Sequence, residues 1–181
     1  MNTQRHNVFV SYHHANDQWY RNQFENLFSD VYDIMVSQSV QIGDIDSNLP
    51  VERVRQIVRE NYLRATTVTV VLIGSETWKR KHVDWEIGAS IRRTLYSSRS
   101  GLIGIFLPSH PDHGKNTYNK CIIPPRLYDN AQCGFAKLYD WSTDPYTIKK
   151  WIHEAFVRRN NVDPDNSYTN FVNNRSGSGW C

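Results

Sequence analysis

The chain has no apolar run approaching the ~18 to 20 residues that a membrane span requires, and none of its three cysteines stands in a CxxC pair. The first absence argues against a helix crossing a bilayer. The second, with the odd count, argues against a disulfide framework or a thiolate metal knot. The expectation is therefore reduced thiols at Cys121, Cys133 and Cys181 in a cytoplasmic protein. The opening residues MNTQRHN lack the apolar centre of a secretory leader. A net charge of +3 over 181 residues is too small to attract nucleic acid, and the KRK cluster at 79–81 suits a solvated helix face. Glycine-rich phosphate loops and GxSxG elbows are missing, so neither a P-loop enzyme nor a serine hydrolase of that type is indicated.

What is present is an alternation of apolar runs and helix-period segments. NVFVSY (7–12), YDIMVSQSV (32–40), TVTVVLIG (67–74), GLIGIFLP (101–108) and AKLYDW (136–141) have strand character, the third most strongly. Helical spacing occupies 15–29, 51–63, the stretch from Ser75, and 146–159. Ser47 and Asn48 lie before Pro50 at the start of the second helix, and Asp144 caps the last. The segment 109–135 reads as irregular, with Ile122 and Ile123 as a buried anchor and Arg126 paired with a carboxylate or a ligand phosphate. Single helices between strands predict an α/β fold: a mostly parallel five-stranded sheet with helices on both faces. Residues 163–181 are polar and expected to be a loosely ordered tail beyond a domain spanning 1–162.

Ligands of such sheets bind beyond the carboxyl ends of the strands. Those ends are SYHHAND, GDIDSN and GSETW, which bring Ser11, His14, Asn16, Asp17, Asp46 and Ser75 into consideration. The stretch SETWKRKHVDWEIGAS (75–90) then concentrates unusual chemistry. If it is one helix, Val83, Ile87, Ser90, Ile91 and Thr94 face the sheet, while Trp78, His82 and Glu86 are each four apart and form a separate ridge. That places Glu86 at the border of the core, where partial burial raises a carboxylate's pKa. The same spacing suits an ordinary packing face. His110, Asp112 and His113 resemble metal ligands, but without a second anchoring element they are read as a solvated turn. DID (44–46) lacks the rest of a calcium loop. No metal is expected.

NVFVSYHHANDQ, TVTVVLIGSETWKRKHVDWEIGAS, GLIGIFLP, IIPPRLYDN and KLYDW together resemble the TIR-like family of bacterial Thoeris antiphage defence, the ThsB type, over about 7–159. The resemblance implies a flavodoxin-like fold and cleavage of NAD+ at the nicotinamide–ribose bond by one glutamate, matched here by Glu86. It implies NAD+ as substrate with no separate cofactor, and hydrolase or cyclase chemistry yielding an ADP-ribose-derived signal such as a cyclic ADP-ribose isomer. It further implies a partner effector reached through that nucleotide, self-association, and a phage component as trigger. Ser11, His14, Asn16, Asp17, Asp46, Ser75, Trp78 and His82 are the candidate substrate contacts, with Trp78 stacking on a flat ring. Many TIR enzymes carry Trp four residues before the glutamate; here His82 holds that place, as a polar ring contact or as the mark of altered turnover. The alternative function is a non-catalytic TIR-like interaction module.

Overall fold

A computed structural model describes residues 4–37, 39–40, 44–46 and 48–181. Gln38, Gln41 to Gly43 and Ser47 lie outside the described residues, and with them part of the expected second strand and loop, and the helix start assigned to Ser47. Among the described residues, five strands form one sheet: β1 (His6–Ser11), β2 (Ile34–Val36), β3 (Val68–Ile73), β4 (Gly101–Phe106) and β5 (Ala136–Asp140). Their order is β2-β1-β3-β4-β5 and every neighbouring pair is parallel. β3 and β4 are buried at every position, as continuous apolar runs at the centre of a doubly covered sheet must be.

The helices are α1 (His14–Leu27), α2 (Val51–Val58, continued by a π-helical turn Arg59–Leu63), α3 (Lys81–Ser90), α4 (Pro125–Gln132) and α5 (Pro145–Arg158). Alternation along the strands divides the core. Val8, Val10, Val68, Val70 and Leu72 pack with Phe24 of α1 and Ile148 and Ile152 of α5. Val71, Ile73 and Leu102 meet Val83 and Ile87 of α3 and Leu127 of α4. Phe9 packs with Val54 and Val58 of α2 and with Trp85 and Ala89 of α3. Helices therefore cover both faces, and the chain adopts both the α/β architecture expected from the alternation and the flavodoxin-like fold that the resemblance implies.

Four expectations need correction. The segment around 125–132 is a helix, opened by Pro125 in its first turn, where a missing N–H is harmless. The second strand is confined to Ile34–Val36. Cys121 and Cys181 are joined in a disulfide, leaving Cys133 free and exposed, so the three thiols are not all reduced. Residues 163–181 are not loose: Phe171 is buried against the body, and the segment returns to Cys121 through the Trp180 N–H, which donates to the Cys121 carbonyl at 2.9 Å. Among the described residues, no helix is long and apolar enough to cross a membrane.

Candidate functional site

The site is built where β1 ends beside α3. Ser11 is the last residue of β1, buried next to β3 in the sheet. Its hydroxyl donates to Glu86 Oε2. Glu86 Oε1 is buried and has no hydrogen-bond partner among the described residues. The side chain is only 1% exposed. Burial without a cation pushes its carboxyl up to about 8, and the Ser11 hydroxyl pulls the other way. The resting acid is therefore largely protonated at neutral pH, an arrangement typical of an acid poised for function rather than for an ion pair.

One turn earlier on α3, His82 Nε2–H donates to the Tyr12 carbonyl at 3.1 Å. This bond ties the β1 exit to the helix. Its ring lies 4.8 Å from the His14 ring, which in turn lies 4.5 Å from Tyr12. Desolvation is the main reason that His82 is pushed down to about 3, so it is a neutral ring. His14 is held down by the same cause, with His13 and Arg80 adding to it. His13 caps α1, its ring nitrogen accepting the Asn16 N–H at 3.2 Å. Ser11, His14, His82 and Glu86 thus form one constellation.

Asp17 is a neighbouring, separate knot. Its carboxylate lies over Gly74, just past β3, where a Cβ would come within 2.2 Å of Oδ2 and could be fitted only by displacing the buried Asp17 side chain. Burial pushes Asp17 up to about 6, partly offset by hydrogen bonds from Thr77 and Ser109. Asn16 is exposed and its amide donates to Glu76 at 3.2 Å.

The remaining candidates are not brought to Glu86. Trp78 is 2% exposed and lies in a short 3-10 turn (Thr77–Lys79) that ends before α3 begins. The expected ridge of Trp78, His82 and Glu86 is therefore broken, and Trp78 anchors packing rather than offering a face to a ring. Asp46 is exposed and accepts the Asn48 N–H at 2.9 Å, a local turn. Ser75 is exposed at the β3 exit. Thr94 lies beyond α3, not on its inner stripe.

Arg126 settles on a carboxylate: it is 1% exposed and its Nε donates to Asp84 Oδ1 at 2.8 Å. His110 and Asp112 do not form a solvated turn. Both are buried: His110 Nδ1 accepts the Asp112 N–H at 3.0 Å and its Nε2–H reaches the Ile122 carbonyl at 3.2 Å. Among the described residues, no three His, Cys, Asp or Glu side chains gather as metal ligands. The sequence reading did not single out Tyr12 or Asp84. Asp84 could have been noticed as the second acid, beside Glu86, in the otherwise apolar VDWEIGA run.

A family model for the Thoeris protein ThsB, TIR-like domain, matches residues 9–112, which hold the end of β1, all of β3, α3 and β4, and therefore Ser11, His82 and Glu86. The chain belongs to that family. This membership puts the TIR-like domain in Thoeris antiphage defence. No curated protein matches the chain. The match stops before α4 and the 163–181 segment, both of which grip the α3 of this TIR-like domain.

Proposed function

We propose that this TIR-like domain consumes NAD+, breaking the nicotinamide–ribose bond, and that Glu86 is the acting acid. The product is an ADP-ribose-derived nucleotide, cyclic in form, that activates a partner effector. The observation carrying this reading is the buried Glu86 carboxyl with one hydroxyl partner and one unpartnered oxygen, at the carboxyl edge of the sheet. When the glycosidic bond breaks, its electron pair leaves with nicotinamide, which departs neutral and needs no proton. Positive charge is left on the ribose. A carboxylate at that place stabilises the charge and holds ribose hydroxyls.

The resting acid is protonated, so binding has to ionise it. The cationic pyridinium of NAD+ supplies the cause: a positive charge nearby favours the carboxylate, and a proton is released as substrate enters. His82 and His14, both neutral, can approach that ring without repelling it. Re-closure of the β1 exit and α3 over the bound nucleotide keeps water from the ribose carbon, which favours capture by another part of the same nucleotide over hydrolysis.

A second reading is supported by the burial itself. At 1% exposure, Glu86 reaches a nucleotide only if the β1 exit and α3 part. A chain that never parts them is a non-catalytic interaction module. Mass spectrometry of purified protein with NAD+, at concentrations that allow self-association, separates the two. The enzyme reading expects NAD+ loss with an ADP-ribose derivative appearing, and loss of both in Glu86→Gln. Equal product from the parent and Glu86→Gln removes Glu86 from the chemistry. No turnover by the parent, even when assembled, leaves the interaction module.

A further inference from the structure

α3 is buried on every side from Val83 to Ser90, although a helix on the face of such a sheet usually keeps one solvated flank. The 163–181 segment covers that flank and bonds the helix along its length. At the start, Asn174 Oδ1 accepts the Lys81 N–H at 3.0 Å. Arg80, the residue before the helix, provides no side-chain cap, so the segment supplies one for a free N–H. Mid-helix, the Phe171 N–H donates to Asp84 Oδ2 at 3.1 Å and the Trp85 indole N–H to the Phe171 carbonyl at 2.8 Å. Near the end, the Asn166 amide donates to the Gly88 carbonyl at 3.0 Å. Arg126 of α4 joins the two layers, donating to Asp84, to Asn166 and to the Tyr168 carbonyl.

The segment then closes on the body. The Trp180 indole N–H donates to the Ile123 carbonyl at 2.8 Å and Cys181 bonds to Cys121. The glycine at 179 permits this approach, since a Cβ there would stand 2.9 Å from the Cys121 Cβ. Cys181 is exposed, so a thiol can reach it.

We propose that residues 163–181 are a thiol-released strap that holds α3, and with it Glu86, in register with Ser11. Its consequence for turnover rests on the reading of Glu86 given above; the hold itself does not. The releasing agent is a dithiol. One thiolate attacks Cys181 Sγ, the Cys121–Cys181 bond breaks, and Cys121 leaves as a thiolate that takes a proton. The second thiol then displaces Cys181 from the mixed disulfide, and the reagent ends as its own cyclic disulfide. Two electrons and two protons pass to the protein. Once the bond is broken, residues 163–181 are no longer closed into a loop on Cys121 and open locally more often.

Hydrogen exchange on the full chain, oxidised and after dithiothreitol, tests the hold through two protons that only the strap protects. The Phe171 amide and the Trp85 indole N–H should exchange faster by at least about tenfold in the reduced protein. Cys181→Ser should reproduce this without reductant, while Val70 and Leu72 in β3 stay protected. The proposal is overturned if both protons exchange alike in the two states, with only 176–181 speeding up. It is equally overturned if β3 loosens in parallel, which would be general destabilisation. NAD+ consumption is measured on the same samples. Strap release with altered consumption supports the whole inference. Strap release with consumption unchanged in an active parent overturns the link to Glu86. If the parent is inactive in both states while the two protons respond, the reading of Glu86 fails and the strap stands.

Discussion

α3 carries two buried carboxyls two residues apart, and they are treated in opposite ways. Asp84 is 2% exposed and fully answered: Arg126 donates to both of its oxygens, at 2.8 and 3.3 Å, and the Phe171 N–H adds a third bond at 3.1 Å. Glu86 is 1% exposed and is answered by one serine hydroxyl. At ~100° per residue the two point to opposite flanks of the helix. Asp84 turns toward α4 and the strap, Glu86 toward the end of β1. A buried charge with a bidentate cation is architecture. A buried acid left with an unpartnered oxygen is costly to folding, and its persistence in a fold able to satisfy Asp84 so well points to use.

The largest expected effect breaks the satisfied side. Arg126→Ala would leave the Asp84 carboxylate buried without its cation and strip bonds from Asn166 and the Tyr168 carbonyl. Losing one partner of such a pair costs about 3 to 5 kcal/mol, read as a lowered urea midpoint. An unchanged midpoint would mean that Asp84 is not the anchor described. Glu86→Gln works in the other direction. The unfolded carboxyl titrates near its ordinary 4.5 and the folded one near about 8. Between those values the folded chain holds a proton that the unfolded chain lacks. Stability from this group is complete below the lower value and is lost as pH rises toward the upper one. Gln removes that loss, so the variant should be more stable than the parent at pH 7 by up to about 3 kcal/mol. The advantage should shrink toward pH 5. Melting temperatures across pH 5 to 9 report it, and a destabilised Glu86→Gln would contradict the contrast with Asp84.

The sheet was legible in the sequence because its strands are apolar and β-branched, a signal that depends on nothing distant. TVTVVLIG names its own place at the centre. α4 was hidden because PRLYDNAQ is short and sits behind two prolines, so turn chemistry and helix start look alike. The break between Trp78 and His82 escaped helical-wheel arithmetic for a similar reason: it lies in Arg80, whose backbone is extended, and no residue type marks it. The strap was least legible. It is held by asparagine side chains reaching backbone groups and by one phenylalanine, a composition shared with disordered tails. Its disulfide could not be inferred from an odd cysteine count. Glu86 stood out through the family resemblance, and Ser11 through its place at the carboxyl end of the first strand; that the two meet depends on the adjacency of β1 and β3, which brings position 11 beside α3.

The smallest change is the sharpest test of the less satisfied side. Ser11→Ala removes one hydroxyl from a position that is already buried and leaves the strand backbone intact. Losing a single hydrogen bond of this kind costs about 1 kcal/mol, close to the limit of a denaturation curve. Its effect on ionisation is more informative. The Ser11 hydroxyl pulls the Glu86 carboxyl down against burial, so its removal should push that carboxyl above about 8. If Glu86 must ionise for NAD+ to react, the pH profile of consumption by Ser11→Ala should shift toward alkaline pH, with activity recovering as the acid is titrated. A mutation that merely loosened packing would lower the profile at all pH values without moving it. Such a uniform drop would make Ser11 a packing residue and leave Glu86 to be ionised by substrate alone.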